Sequence, residues 1–175
     1  MRVWDPLVRI AHWTLVGSII TAWFTRHGGG WAHEWAGYAV LAVVALRIVW
    51  GFAGPLYARF AQFVYAPSAT LRYSKLAASG QEPRYIGHNP LGGWMILALL
   101  VTALLTAGSG WLYTTERFWG IEWVENLHKG LTYLLLSLAA LHITGAVAES
   151  VRHRENLIAS MIHGNKREAG PDDVA

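Results

Sequence analysis

No cysteine occurs anywhere in the 175 residues. That absence excludes disulfides, thiolate zinc sites, iron–sulfur ligation and covalent attachment of a c-type haem, so any metal must be held by histidine, methionine or carboxylate. Charge is scarce as well: Asp, Glu, Lys and Arg make up 14% of the chain against 54% hydrophobic residues. The net charge of +3 is small and, as shown below, follows membrane topology, so no nucleic-acid partner is expected. No internal repeat stands out.

What is present is apolar and gathered into blocks. Leu7–Thr25, Trp35–Ala53, Leu91–Tyr113 and Gly130–Ala148 each carry at most one formal charge. Each is close to the twenty or so residues that a helix needs to cross about 30 Å of hydrocarbon, and helices satisfy their own backbone in lipid. The expected fold is all-α and integral to the membrane, a four-helix transmembrane bundle. Residues 1–167 form its domain and residues 168–175 a polar tail that should be frayed.

Orientation follows from the basic residues. With both termini cytoplasmic, Arg2, Arg9, Arg59, Arg72, Lys75, Arg84, Arg152, Arg154, Lys166 and Arg167 lie inside, Arg26, Arg117 and Lys129 outside, and Arg47 within the second span. This is a strong positive-inside bias. The first apolar run offers no convincing small-x-small cleavage site over residues 23–30, so it is expected to stay as an anchor. The second outer loop, Thr114–Leu127, is flanked and filled by Trp111, Tyr113, Phe118, Trp119 and Trp123, an interfacial belt. The long connection Gly54–Asn89 contains a stretch, Ser68–Ala78, that reads as an amphipathic helix on the inner leaflet. Asn89 followed by Pro90 reads as a helix cap with proline at the first helical position, and a second surface helix is expected through Arg152–Ile162.

The histidines give the chain its chemistry. His128 and His142 stand fourteen residues apart in one apolar helix, so they lie roughly 21 Å apart on nearly the same face. Topology places His12 near the inner end of the first span and His33 near the outer end of the second. The four therefore fall into two levels, His33 with His128 outside and His12 with His142 inside. Two facing imidazoles at one level of a bundle are what six-coordinate haem b requires, since the porphyrin leaves two axial positions for neutral nitrogen donors. A lone histidine at a helix end is ordinarily a polar anchor; the matched depths and the same-face pair favour ligation for this set. His27, His88, His153 and His163 default to solvated residues, with His27 the one rival to His33.

Each axial imidazole is expected to give its other ring N–H to a carbonyl one turn back in its own helix. Gly17, Gly37, Gly130 and Gly145 would give a macrocycle room against the backbone, although close helix packing also favours glycine. Arg47 follows His33 by fourteen residues, on the same face, where it could pair with a haem propionate; snorkelling toward the inner headgroups is the plain alternative.

Arg9-Ile-Ala-His12-Trp13, His33-x-x-x-Gly37 with Arg47-x-x-Trp50, Tyr85-Ile-Gly-His-Asn-Pro-Leu-Gly92, Leu127-His128, Leu141-His142 and Arg152-His-Arg-Glu-Asn156 occur together. In joint order and spacing they resemble the bacterial di-haem cytochrome b family. That family embraces bacterial cytochrome b561 and the cytochrome b subunits of nickel–iron hydrogenases and formate dehydrogenases. The resemblance covers residues 1 to about 167.

It implies two haems b, the inner one held by His12 and His142 and the outer by His33 and His128. It further implies an electron-transfer subunit of the bacterial inner membrane, linking a periplasmic redox partner (a cytochrome c, a hydrogenase or another dehydrogenase) to the quinone pool. By the same resemblance, His88 and Asn89 are candidates to border a quinone site at the inner haem.

Two other functions are open to the sequence. A self-sufficient superoxide:quinone oxidoreductase would need a cationic outer pocket around Arg26, His27 and Lys129, whereas Glu116, Glu122 and Glu125 make that face acidic. A histidine-lined metal transporter would carry no haem and would be colourless.

Overall fold

The computed structural model describes residues 1–28 and 30–174. Eight helical elements follow one another: α1 (Pro6–Phe24), α2 (Trp31–Ala53), a 3-10 turn (Leu56–Ala58), α3 (Phe60–Phe63), α4 (Pro67–Ala78), α5 (Pro90–Tyr113), α6 (Glu122–Arg152) and α7 (Leu157–His163). Extended pairing among the described residues is limited to isolated bridges, Arg2 with Asn165 and Tyr85 with Val174. Helices α1, α2, α5 and α6 are long and apolar enough to cross a membrane.

The helix boundaries follow from capping chemistry more than from hydropathy. Asp5 opens α1 by accepting from the backbone N–H of Leu7 at 3.0 Å and of Val8 at 3.2 Å, with Pro6 at the first helical position where its missing donor costs nothing. Asn89 opens α5 in the same way, accepting from Gly92 N–H at 2.7 Å ahead of Pro90. Replacing Asn89 with alanine is expected to cost about 1 kcal/mol, read as a small fall in the thermal midpoint of the detergent-solubilised protein.

Helix α6 starts well before its hydrophobic stretch. Glu122 and Glu125 occupy its first turn, where carboxylates complement the positive end of the helix dipole. At 31 residues it is about 46 Å long, more than the hydrocarbon layer, so its ends project. The expected surface helix over 152–162 is divided differently. Helix α6 runs through Arg152, the chain turns at Arg154 with φ 51°, and Asn156 then caps α7 by accepting from Ala159 N–H at 2.8 Å.

The chain forms two compact units. One comprises Met1–Arg9, Val49–Leu97 and Ala140–Ala175; the other comprises Ile10–Ile48 and Ala98–Ala139.

The first unit is knitted by its terminal segments. Gly164, left-handed at φ 87°, ends α7, and its carbonyl accepts from the N–H groups of Val3 and Trp4 at 2.9 and 3.1 Å. The Lys166 ammonium reaches the carbonyls of Tyr85, Ile86 and Gly87 at 3.3, 2.9 and 3.4 Å and lies 5.5 Å from the Trp4 ring centre. Burial pulls its pKa down to about 8. The tail, read from sequence as frayed, is instead fastened: Val174 exchanges backbone hydrogen bonds with Ile86 and Arg84 at 2.9 and 2.8 Å. Deep in this unit α5 passes the α3 turn at contact, since a Cβ on Gly93 would fall 2.0 Å from the Phe63 carbonyl oxygen.

The second unit is inverted relative to a water-soluble protein. It buries Ala36, Val40, Val44, Ala103, Thr106 and Ser109 and exposes Ile20, Phe24, Trp35, Leu105, Trp111 and Tyr133. Small residues inside and large apolar ones outside suit helices packed in lipid.

Candidate functional site

In the second unit, residues from all four long helices meet around His33 and His128. His33 lies in the first turn of α2, on a face continued by the buried Ala36, Val40, Val44 and Arg47. That periodicity puts His33 and Arg47 on one stripe. Arg47 is 6% exposed, which favours an interior role over snorkelling.

The His33 Nδ1 lies 2.9 Å from the carbonyl oxygen of Ala22, in the last turn of α1, where helix carbonyls lack an intrahelical partner. The His128 Nδ1 lies 2.9 Å from the Thr106 carbonyl oxygen and 3.2 Å from Ser109 Oγ on α5. A carbonyl only accepts, so in both rings the proton sits on Nδ1 and Nε2 carries the lone pair. The anticipated carbonyl one turn back in the ligand's own helix is not the partner. Those carbonyls carry the helical ladder, whereas the end of α1 and the small-residue stretch of α5 present oxygens that an imidazole can reach.

The two rings stand edge to face with centroids 6.1 Å apart and planes at 78°. Two imidazoles on one metal ion, with metal–nitrogen bonds of about 2 Å and each ring centre about 1.1 Å behind its nitrogen, would place their centroids up to about 6.2 Å apart. That separation would suit two imidazoles holding one metal ion between them. Gly110 makes this approach possible, because a Cβ there would lie 3.0 Å from Cε1 of His128. At Gly17, Gly37, Gly130 and Gly145 a Cβ would meet no atom within 4 Å. Contact with a neighbouring helix is therefore not what these four positions share; each has open space beside its backbone.

The other candidates are placed as follows. His12 is half-buried in α1, edge-on to Trp13 at 5.0 Å, and His142 is half-buried on α6, the same uninterrupted helix as His128. His27 is exposed in the turn after α1. His88, expected to be solvated, is held between aromatic rings, with Trp4 at 4.6 Å and Phe63 at 4.9 Å. Asn89 is the cap of α5.

Two of the loop cations have partners: Arg26 stacks over Trp23 at 3.8 Å, and Lys129 pairs with Glu125 one turn away. Sequence reasoning missed Thr106, Ser109 and Gly110. The signal was there as a stripe of small and hydroxyl residues, Thr102, Thr106, Ser109 and Gly110, at helical spacing in a leucine-rich span. Their hydroxyls bond back to carbonyls of their own helix, Thr106 to Thr102 at 2.8 Å and Ser109 to Thr106 at 2.9 Å.

Comparison with known proteins places the chain among its relatives by sequence. The protein named "Probable Ni/Fe-hydrogenase B-type cytochrome subunit" from Rhizobium leguminosarum bv. viciae is 26% identical over 211 residues, covering 94% of this chain and 87% of that protein. The protein of the same name from Bradyrhizobium diazoefficiens is 26% identical over 212 residues, covering 94% and 85%. No solved structure matches the chain. The family model described as prokaryotic cytochrome b561 matches residues 3–164, and with nearly the whole length accounted for, the chain belongs to the prokaryotic cytochrome b561 family.

Proposed function

We propose that this chain is a di-haem cytochrome b of the bacterial inner membrane that transfers electrons between a periplasmic redox partner and quinone. The observation that carries the reading is the His33–His128 pair, with rings 6.1 Å apart and each Nδ1 fixed on a backbone carbonyl. His12 and His142 form the second ligand pair in this reading, supported by the fourteen-residue interval that separates His142 from His128 on one helix. When bound, haem b supplies reversible one-electron chemistry at its iron.

The chain's own residues do the rest. Neutral imidazoles whose outer N–H is fixed keep their orientation and their basicity toward a metal. Arg47, buried on the His33 stripe, is a cation suited to a propionate. Gly37, with open space beside it, leaves room for the macrocycle.

The relatives' name makes a nickel–iron hydrogenase the first partner to test; a cytochrome c or another dehydrogenase is the alternative. The acidic outer residues Glu116, Glu122 and Glu125 would favour a basic docking face. Both termini are placed in the cytoplasm, following the basic residues. Quinone is the membrane-side partner, with His88 and Asn89 bordering its site. Asn89 Oδ1 is engaged by the cap, so its amide NH2 is the group that would meet a quinone oxygen, beside the His88 ring. The superoxide reading loses support because Arg26 and Lys129 are already paired.

Purified protein is expected to be red, with two haems b per chain by pyridine haemochrome assay, and to be reduced by a short-chain quinol in detergent. Colourless protein would reject the reading in favour of the transporter. Red protein that no quinol reduces would remove quinone alone.

A further inference from the structure

Away from the haem residues, the first unit holds a cluster that the function above does not use. Glu82 lies in the connection between α4 and α5, Glu149 in the last turns of α6, and His153 four residues further on, its N–H still bonded to the Glu149 carbonyl at 3.0 Å. One ligand-capable atom from each lies within 4.8 Å of the other two.

The outer contacts of these side chains have a pattern. Glu82 Oε1 is held by the Arg152 guanidinium, and Glu149 Oε1 accepts from the Tyr73 hydroxyl at 3.3 Å. The second oxygen of Glu82, on a side chain with no exposed surface, is buried and accepts no hydrogen bond, and His153 Nε2 is buried without one as well. A carboxylate oxygen left bare at full burial is costly unless something cationic meets it.

The distance from His153 Nε2 to Glu149 Oε2 is 3.2 Å, yet the two are not aligned as donor and acceptor. Two atoms bound at about 2.1 Å to one ion, at tetrahedral to octahedral angles, lie about 3.0–3.4 Å apart. The off-axis 3.2 Å falls within that range.

We propose that Glu82, Glu149 and His153 form a binding site for a divalent transition-metal ion, with Zn²⁺ the best match, at the end of α6. Two carboxylates neutralise the ion, and one imidazole selects against Mg²⁺ and Ca²⁺, which prefer all-oxygen shells. Arg152 and Tyr73 are the outer partners that orient ligating carboxylates. The Tyr73 hydroxyl donates to the Glu149 carboxylate at 3.3 Å.

The test uses haem-loaded protein in detergent, stripped with a chelator, exposed to ZnCl₂, passed through gel filtration and analysed for zinc against iron, with calorimetric titration alongside. One zinc per chain is expected to be retained, and Mg²⁺ is not expected to be. Glu149→Gln and His153→Gln should each weaken zinc binding at least tenfold, and Tyr73→Phe about tenfold. His163→Gln, at an exposed histidine, should leave it unchanged. Glu82→Gln also removes the partner of Arg152 and can misfold, so His153→Gln, checked for native helicity by circular dichroism and for its haem band, decides. Zinc absent from the wild type, or held as tightly by His153→Gln, overturns the site.

Discussion

Replacing His128 with alanine is expected to halve the low-spin haem signal, from two per chain to one, whether the affected haem leaves or stays on a single imidazole. His33→Ala should do the same to the same haem. The decisive variant is the double one. If both rings serve one iron, His33→Ala/His128→Ala loses no more low-spin haem than either single change, because removing a second ligand from an already broken pair has nothing further to break. His128→Ala/His142→Ala, which touches both proposed pairs, should lose both signals. Electron paramagnetic resonance of the oxidised protein counts the low-spin centres directly, and loss of both from the His33/His128 double variant would refute the pairing. The geometry of the His33–His128 pair makes the effect large, since each ring is anchored by the carbonyl of Ala22 or Thr106.

Much of this was legible in the sequence, for identifiable reasons. Membrane spans declare themselves because hydrocarbon tolerates little charge, so the four apolar blocks coincide with α1, α2, α5 and α6. Their ends did not declare themselves. Hydropathy begins the fourth block at Gly130, while the helix begins at Glu122, because a carboxylate that is unwelcome in lipid is favourable in a first helical turn. Asn89 gave a true helix start because its cap is a side chain with its own letter, while the Asp5 cap of α1 emerges only from the structure.

The histidines stood out as polar residues in apolar runs, but the groups that orient them are backbone oxygens of Ala22 and Thr106, which no letter encodes. The Glu82–Glu149–His153 cluster was hidden for another reason. It brings the long connection between α4 and α5 against the end of α6, and periodicity says nothing about such distant pairs. His153 was accordingly assigned to solvent, and the tail was read as frayed for want of any local sign that Arg84, 89 positions away, would hold Asp173.

Arg84→Met is expected to be the most destabilising single change in the first unit, by about 3 kcal/mol at neutral pH. Arg84 forks onto Glu155, with contacts of 3.1 and 2.8 Å, pairs with Asp173, and donates to the Arg167 carbonyl at 3.1 Å. Its side chain is 4% exposed and both acids 8%. Methionine keeps the bulk but leaves two buried carboxylates with no guanidinium.

The pH dependence identifies the cause. Burial alone would raise Glu155, but the Arg84 hydrogen bonds, the Arg167 N–H and the charges of Lys166 and Arg84 together outweigh it and hold that carboxyl below its ordinary value. Asp173 is held low by the Gly170 N–H and then by Arg84. Groups depressed in the folded state contribute stability that is present above their unfolded pKa, near 4, and lost as pH falls through the folded values. Wild type should therefore lose stability below about pH 4. In Arg84→Met the same burial acts unopposed by the guanidinium, the carboxylates favour protonation, and the gap from wild type should narrow on acidification.

Lys166, whose pKa burial has pulled down to about 8, sits close enough to Glu155 to offset part of the loss at neutral pH, which is why the lower end of the range for broken buried pairs is expected. Thermal unfolding in detergent at pH 7 and pH 4 measures both quantities. Arg84→Lys, which keeps the charge and loses the fork, should fall between the two. A pH-independent deficit in Arg84→Met would assign the loss to packing and leave the ion pairs without a role in fastening the tail.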